Sequence, residues 1–198
     1  MKNISLEEII SLHKQYAPSN KAFTVIYTHC EIVSAICNEL AVHSPHIDRD
    51  LLTAGALLHD IGAYSFINAD GTFRKDGTYI QHGIIGYNML HKEELDERLC
   101  RFAKYHTGVG ISKREILDQA IPLPPEDYFA ETLEEKLVMY ADKFHSKTPM
   151  FHTFHTYRMY IQKFPDAATK QHTFDDLASL FGKPDVQALA KKYAMPID

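Results

Sequence analysis

Leu57-Leu58-His59-Asp60-Ile61-Gly62 is an apolar run that delivers an imidazole and a carboxylate side by side and then stops at a glycine. In the body of an α-helix neighbouring side chains point about 100° apart, so His59 and Asp60 could not share a target there. At the last turn of a buried helix they can converge on one inorganic centre. The aspartate can then use both oxygens and touch two ions. A His-Asp pair alone reads more simply as a capped helix end. His29 upstream, and His82, His106 and Asp142 downstream, change that reading.

The flanking chain reads as a series of helices joined by loops. Ser5-Leu6-Glu7-Glu8 has the form of a capping box and opens a first helix that Pro18 ends. A second helix is predicted from about Lys21 to Val42, with His29 on or beside its apolar stripe. Asp48 can cap a third, Arg49 to Ile61, that ends in the His-Asp pair. From Ala63 to Gln81 the periodicity fails. Asn68-Ala69-Asp70-Gly71 and Lys75-Asp76-Gly77 are turn chemistry, so this is a loop with a short hairpin around Thr72 and Phe73. Helix resumes near His82, and another covers about Leu95 to His106, ended by Gly108 and Gly110. Ser112-Lys113-Arg114-Glu115 and Thr132-Leu133-Glu134-Glu135 are further capping boxes, the second opening a long helix that carries Asp142 in its body. Ile121-Pro122-Leu123-Pro124-Pro125 is a stiff surface loop. Two short helices, separated by Gly182-Lys183-Pro184, close the chain. No strand has a good period-2 case and no repeat is evident. The fold class is all-α, a helical bundle.

With 198 residues the chain suits one domain with modest appendages. We divide it into an N-terminal helix over 1–19, a central domain over 20–147 and a C-terminal helical extension over 148–198. A net charge of −5 offers no extended nucleic-acid surface, and no apolar run reaches the roughly 20 residues of a membrane span. Met1 to Glu8 lacks the hydrophobic core of a signal peptide, and Cys30, Cys37 and Cys100 read as buried thiols, so a cytoplasmic protein is expected. Cys30 and Cys37, seven apart on one helix, are too distant for a disulfide.

His29, His59, Asp60, His82, His106 and Asp142 each fall on a predicted helix or at its end, and together they come from five helices. Inward side chains on facing helices are how bundles build metal sites. Imidazole and carboxylate ligands favour Fe, Mn, Co, Ni, Zn or Mg over copper(I) or an iron–sulfur cluster. A carboxylate such as Asp142 among Val138, Met139, Tyr140 and Ala141 is costly to bury without a partner.

The order His29, His59-Asp60, Asp142 resembles the His…His-Asp…Asp signature of the HD superfamily of metal-dependent phosphohydrolases. His82 and His106 resemble the two further histidines of its binuclear branch. The resemblance covers about residues 20 to 147. It extends to Gln-His-Gly at 81–83, His-Thr-Gly at 106–108 and Tyr-Ala-Asp-Lys at 140–143. It implies one or two divalent ions, the first held by His29, His59, Asp60 and Asp142 and the second by Asp60, His82 and His106, with Asp60 bridging. Metal-activated water would then cleave a small phosphoester, a nucleotide or dinucleoside polyphosphate.

One departure matters. Many phosphate-cleaving relatives carry Lys or Arg three residues after the HD aspartate, and here that position is Ala63. The cation must come from elsewhere: Lys143 beside Asp142 is taken as the catalytic candidate, with Lys104, Lys113 and Arg114 as rivals, each of which could equally be a solvated charge. Two other readings stand beside the hydrolase: a mixed-valence di-iron HD oxygenase, and a non-catalytic metal or nucleotide sensor. The remaining histidines read as bland. His13, His91 and His172 are taken as exposed, and His43 and His46 flank Pro45 in a loop. His145, His152 and His155, with Phe151, Phe154, Tyr157 and Tyr160, either line a pocket for a flat base or are core.

Overall fold

Ser5 opens α1 (Leu6–Tyr16) with the reciprocal capping box that the sequence predicts. Ser19 then caps α2 (Asn20–Leu40), whose apolar stripe divides between two clusters. Ile26, Tyr27 and Cys30 pack with Ile9 of α1 and with Leu57 and Leu58 of α3 (Arg49–Leu58). Ile32, Val33, Ile36 and Cys37 pack instead against the second half of the chain. The structure is a computed structural model that describes residues 4–75 and 77–198 without the His43 side chain. The expectations for Met1 to Asn3, Asp76 and the His43 ring lie outside the described residues.

The remaining elements follow as α4 (His82–Lys92), α5 (Glu97–Tyr105), α6 (Lys113–Asp118), α7 (Leu133–Ala141), β1 (His145–Ser146), β2 (Met150–Phe151), α8 (Phe154–Ile161), α9 (Ala167–Phe181) and α10 (Val186–Tyr193). The fold is all-α but for the antiparallel β1–β2 hairpin, whose two-residue strands are too short to show alternation. Phe144, Phe151, Ile161, Phe174, Leu177, Phe181 and Leu189 belong to the same cluster as α2 and α7, so the C-terminal helices share that core. Among the described residues no helix is long and apolar enough to cross a membrane.

Several boundaries differ from the sequence reading, and two of them bear on function. α3 stops at Leu58 instead of Ile61, and Ile61–Phe66 continues as a 3-10 turn. That turn is pressed against α4: a Cβ on Gly62 would lie 2.0 Å from the His82 carbonyl oxygen and 2.4 Å from the Gly86 nitrogen. Glycine at 62 is therefore a condition of the close approach. Likewise α7 ends at Ala141, and Asp142 starts a 3-10 turn, Asp142–Phe144, instead of sitting in the body of a long helix. The expected third capping box is only half formed. Thr132 accepts from the Glu135 backbone, but the Glu135 carboxylate serves Arg101 and the Glu131 N–H. The 63–81 loop does carry the expected hairpin, with Ile67 bridged to Phe73 and Gly71 at a φ of +82°. α9 has 15 residues and is not short.

His13 corrects another expectation, for it is fully buried. One ring nitrogen is 2.9 Å from the Tyr64 hydroxyl and the other 2.8 Å from the Leu57 carbonyl oxygen, which ties α1 to the end of α3. Position 13 lies four residues after Ile9 and three after Ile10, on the inward face of α1 by helical period, and the Tyr64 hydroxyl makes a polar residue welcome there. Burial pushes the His13 pKa down to about 4. Between the unfolded value near 6.5 and about 4, the unfolded chain holds a proton that the folded chain does not, so acid favours unfolding through this group. Denaturant titrations from pH 7 to 4 should show stability falling, and His13→Gln should reduce the slope by about 1.4 kcal/mol per pH unit over that window. An unchanged slope would place the ring in solvent.

Candidate metal centre

Three of the six predicted ligands are set by one local device. His59 caps the C-terminus of α3, His106 caps that of α5, and His82 follows the 3-10 turn Tyr79–Gln81. Each ring donates Nδ1–H to a carbonyl three residues back: His59 to Ala56 at 2.7 Å, His82 to Tyr79 at 2.8 Å, His106 to Ala103 at 2.8 Å. The Ala56 and Ala103 carbonyls are of the kind helix C-termini leave unsatisfied, whereas the Tyr79 carbonyl, in the 3-10 turn, also takes the His82 backbone N–H. The bonds fix the tautomer and leave Nε2 of all three rings as a free lone pair.

These lone pairs surround Asp60, which is fully buried. On one side, Asp60 Oδ2 is 3.2 Å from His29 Nε2 and 3.5 Å from His59 Nε2. Asp142 Oδ1 lies 2.9 Å and 3.6 Å from the same two nitrogens. On the other side, Asp60 Oδ1 is 3.4 Å from His82 Nε2 and 3.5 Å from His106 Nε2. The structure thus brings together all six residues, as two sets sharing Asp60, with the ligand atoms of each set within 4.8 Å of one another.

Two observations test whether this donor set fits a metal. Asp60 Oδ1 and His59 Nε2 are buried without a hydrogen bond, a costly state unless a cation satisfies them. His82 Nε2 and His106 Nε2 face each other at 2.9 Å although both rings donate from Nδ1. Two lone pairs so placed call for a positive centre between them. Ligands at about 2.1 Å from an ion lie about 3.0 Å apart at octahedral angles and about 3.4 Å at tetrahedral ones, and the measured separations span that range. The set fits a pair of divalent ions.

The electrostatics agree. Burial opposes ionisation of Asp60, but the positive charge around it, the Lys147 ammonium first, more than offsets this and holds its carboxyl well below the usual range. Burial also opposes Asp142, which Lys143 and Lys147 hold low. Burial keeps His82 neutral, with a pKa pushed down to about 3, and lowers His106.

Lys143 is buried, with Nζ 2.6 Å from Asp142 Oδ2 and 3.0 Å from the His106 carbonyl oxygen. The rival cations are elsewhere. Lys104 pairs with Glu126 and Arg114 with Asp118, and Lys113 is exposed. Sequence reasoning missed two residues. Lys147, on the β1–β2 turn, sets its ammonium against Asp60 Oδ2; nothing in its neighbourhood distinguishes it from a solvated turn lysine. His145 is read from the sequence only as pocket lining or core. Its Nδ1 is 2.9 Å from His29 Nδ1, and its Nε2 is 3.4 Å from Met195 Sδ. Burial keeps His145 neutral, pushing its pKa down to about 2. The arrangement that satisfies both rings has His29 Nδ1–H donating to His145, which frees His29 Nε2 for the centre.

The centre adjoins a cavity of about 1050 Å³ lined by Asp142, Lys143 and Lys147 and by Phe73, Tyr79, Tyr157 and Tyr160. The His/aromatic segment divides: Phe151 is core, and Phe154 stacks on Phe174, whereas Tyr157 and Tyr160 reach the cavity.

The HD domain family model matches residues 26–147, which contain every one of these ligands. The chain belongs to the HD domain family. Its relatives include an uncharacterised protein of Methanocaldococcus jannaschii, 34% identical over 143 residues, which are 70% of this chain and 74% of that protein. A tRNA (cytidine(56)-2'-O)-methyltransferase of Picrophilus torridus is 40% identical over 124 residues, 63% of this chain but only 32% of the enzyme. The chain thus spans about a third of that relative's length. Among solved structures, the HD domain of the L. monocytogenes phosphodiesterase PgpH superposes with a TM-score of 0.56 at 13% identity, covering 93% of this chain and 98% of that one. A second structure of the same domain, in complex with cyclic-di-AMP, gives 0.54 at 14% identity and covers 96% and 99%. Both share the HD fold.

If His145 orients His29, replacing it with Phe should lower the affinity for manganese about 10- to 100-fold in a chelator competition, while His145→Asn, which keeps an acceptor, should cost less. Equal affinities in both variants and the wild type would remove His145 from the site.

Proposed function

We propose that this HD domain is a metal-dependent phosphohydrolase acting on a small phosphoester, a nucleotide or dinucleoside polyphosphate. The observation that carries the reading is Asp60, whose two oxygens face two separate ligand sets. Divalent ions there, drawn from Fe, Mn, Co, Ni, Zn or Mg, would supply Lewis acidity and acidify a bound water toward neutral pH. His29, His59, Asp60 and Asp142 would hold one ion, and Asp60, His82 and His106 the other.

The chain's own residues supply the rest. Lys143 spends two of its three donors on Asp142 and the His106 carbonyl, so its ammonium is immobile and one N–H is left for a substrate oxygen. A rigid cation at that point stabilises charge on a phosphate without reorganisation. The cavity volume is at the upper end for ligand sites, which supports a substrate larger than a bare phosphate, with Tyr157 and Tyr160 offering faces for a flat base. The cyclic-di-AMP held by the structural neighbour supports the same substrate class. Lysines 143 and 147 at the centre favour phosphate over the oxygenase alternative, whose main support was the lack of a cation at position 63.

Elemental analysis of manganese-reconstituted protein, with a screen of nucleotides, tests this directly. Asp60→Ala should lose both ions and all hydrolysis. His82→Ala or His106→Ala should retain about one ion of two. Full turnover by Asp60→Ala, or unchanged stoichiometry in both histidine variants, would overturn the two-ion reading.

A further inference from the structure

Ala63 is completely buried in the apolar cluster with Ile61, Tyr64 and Leu90. A cation at that position would point into hydrocarbon and not into the cavity, so the site needs its phosphate ligand from another element. Of the other cations that line the cavity, Lys163 is an exposed side chain over the Tyr160 ring, and the rest are committed. Lys170 is engaged by Glu115 at 2.7 Å, Asp166 at 3.2 Å and the Gly110 carbonyl at 3.0 Å. Arg74 donates to the Ser65 carbonyl and lies over Phe66. Lys143 is fixed on Asp142.

Lys147 differs. It sits on the turn between β1 and β2, lines the cavity, and lies 5.8 Å from the centroid of the Tyr79 ring. Its side chain is only 16% exposed, and its ion-pair partner among the described residues is Asp60 Oδ2. That oxygen belongs to the first ligand set. An ammonium and a divalent ion repel each other, so they cannot both keep close hold of one carboxylate oxygen. A lysine displaced from Asp60 would be a mostly buried charge in need of an anion, and leaving it unpaired is costly. Glu115, which also lines the cavity, is already engaged by Lys170.

We propose that Lys147 is a second phosphate-binding residue of this site beside Lys143, delivering from the β1–β2 turn a mobile cation that Ala63 cannot supply. This rests on the phosphohydrolase reading. Lysine acts here as a point charge on a flexible stem, which suits a group that exchanges Asp60 for a substrate oxygen.

The test uses the full chain loaded with manganese and inorganic phosphate as the probe, comparing wild type, Lys147→Met and Lys147→Arg. Phosphate affinity is read by calorimetry and manganese affinity by chelator competition. Lys147→Met should bind phosphate about 10- to 100-fold more weakly, the loss of one charge-assisted contact. Its manganese affinity should hold or rise, because the competing ammonium is gone. Lys147→Arg should keep most of the phosphate affinity. Wild-type phosphate affinity in Lys147→Met overturns the proposal and leaves the phosphohydrolase reading standing. Parallel loss of manganese and phosphate also overturns it, since the lysine would then be structural. A wild-type protein that takes manganese but not phosphate overturns both.

Discussion

A carboxylate buried at the centre of a protein with an oxygen left unsatisfied is among the most expensive groups a fold can carry, and Asp60 is one. Its cost organises what surrounds it. Ring nitrogens and a second carboxylate come to it from α2, α5, the start of α4 and the ends of α3 and α7. Those elements are held in place by two apolar clusters that meet along α2. The clusters provide the stability that lets so much charge be buried, and the charge selects what can enter.

The helix ends contribute more than direction. An α-helix finishes with carbonyls that have no partner inside it. This fold spends two of them on imidazoles: Ala56 and Ala103 each take the Nδ1–H of the histidine three residues on, as Tyr79 does from the 3-10 turn that leads into α4. One backbone feature thus terminates an element, orients a ring and chooses its tautomer. His29 lies inside α2, where the carbonyls are used, and takes another histidine as its acceptor instead.

The tightening of α3 and α7 into 3-10 turns at Asp60 and Asp142 serves the same end. Ending α3 before Asp60 lets the chain fold back on α4 across Gly62 and Gly86, so that His82 meets Asp60 from the far side. Had α3 run on through Ile61, the angle between successive side chains would have kept His59 and Asp60 apart.

Much of this was legible in the residues alone. The helical periodicity, the serine caps of α1 and α6, and the ordered His and Asp set follow from local chemistry that each stretch carries with it. What the sequence could not show is who stands beside whom. The exposed-looking His13 is buried because Tyr64 and Leu57 arrive from another element. Glu135 abandons its capping box because Arg101 of α5 is in reach. Lys147 and His145 acquire their meaning only when a two-residue hairpin folds against α2 and the Asp60 turn. Local propensity determines where elements begin and what they can bury; burial itself, and with it the choice of partner for every charge, depends on contacts between residues a hundred positions apart.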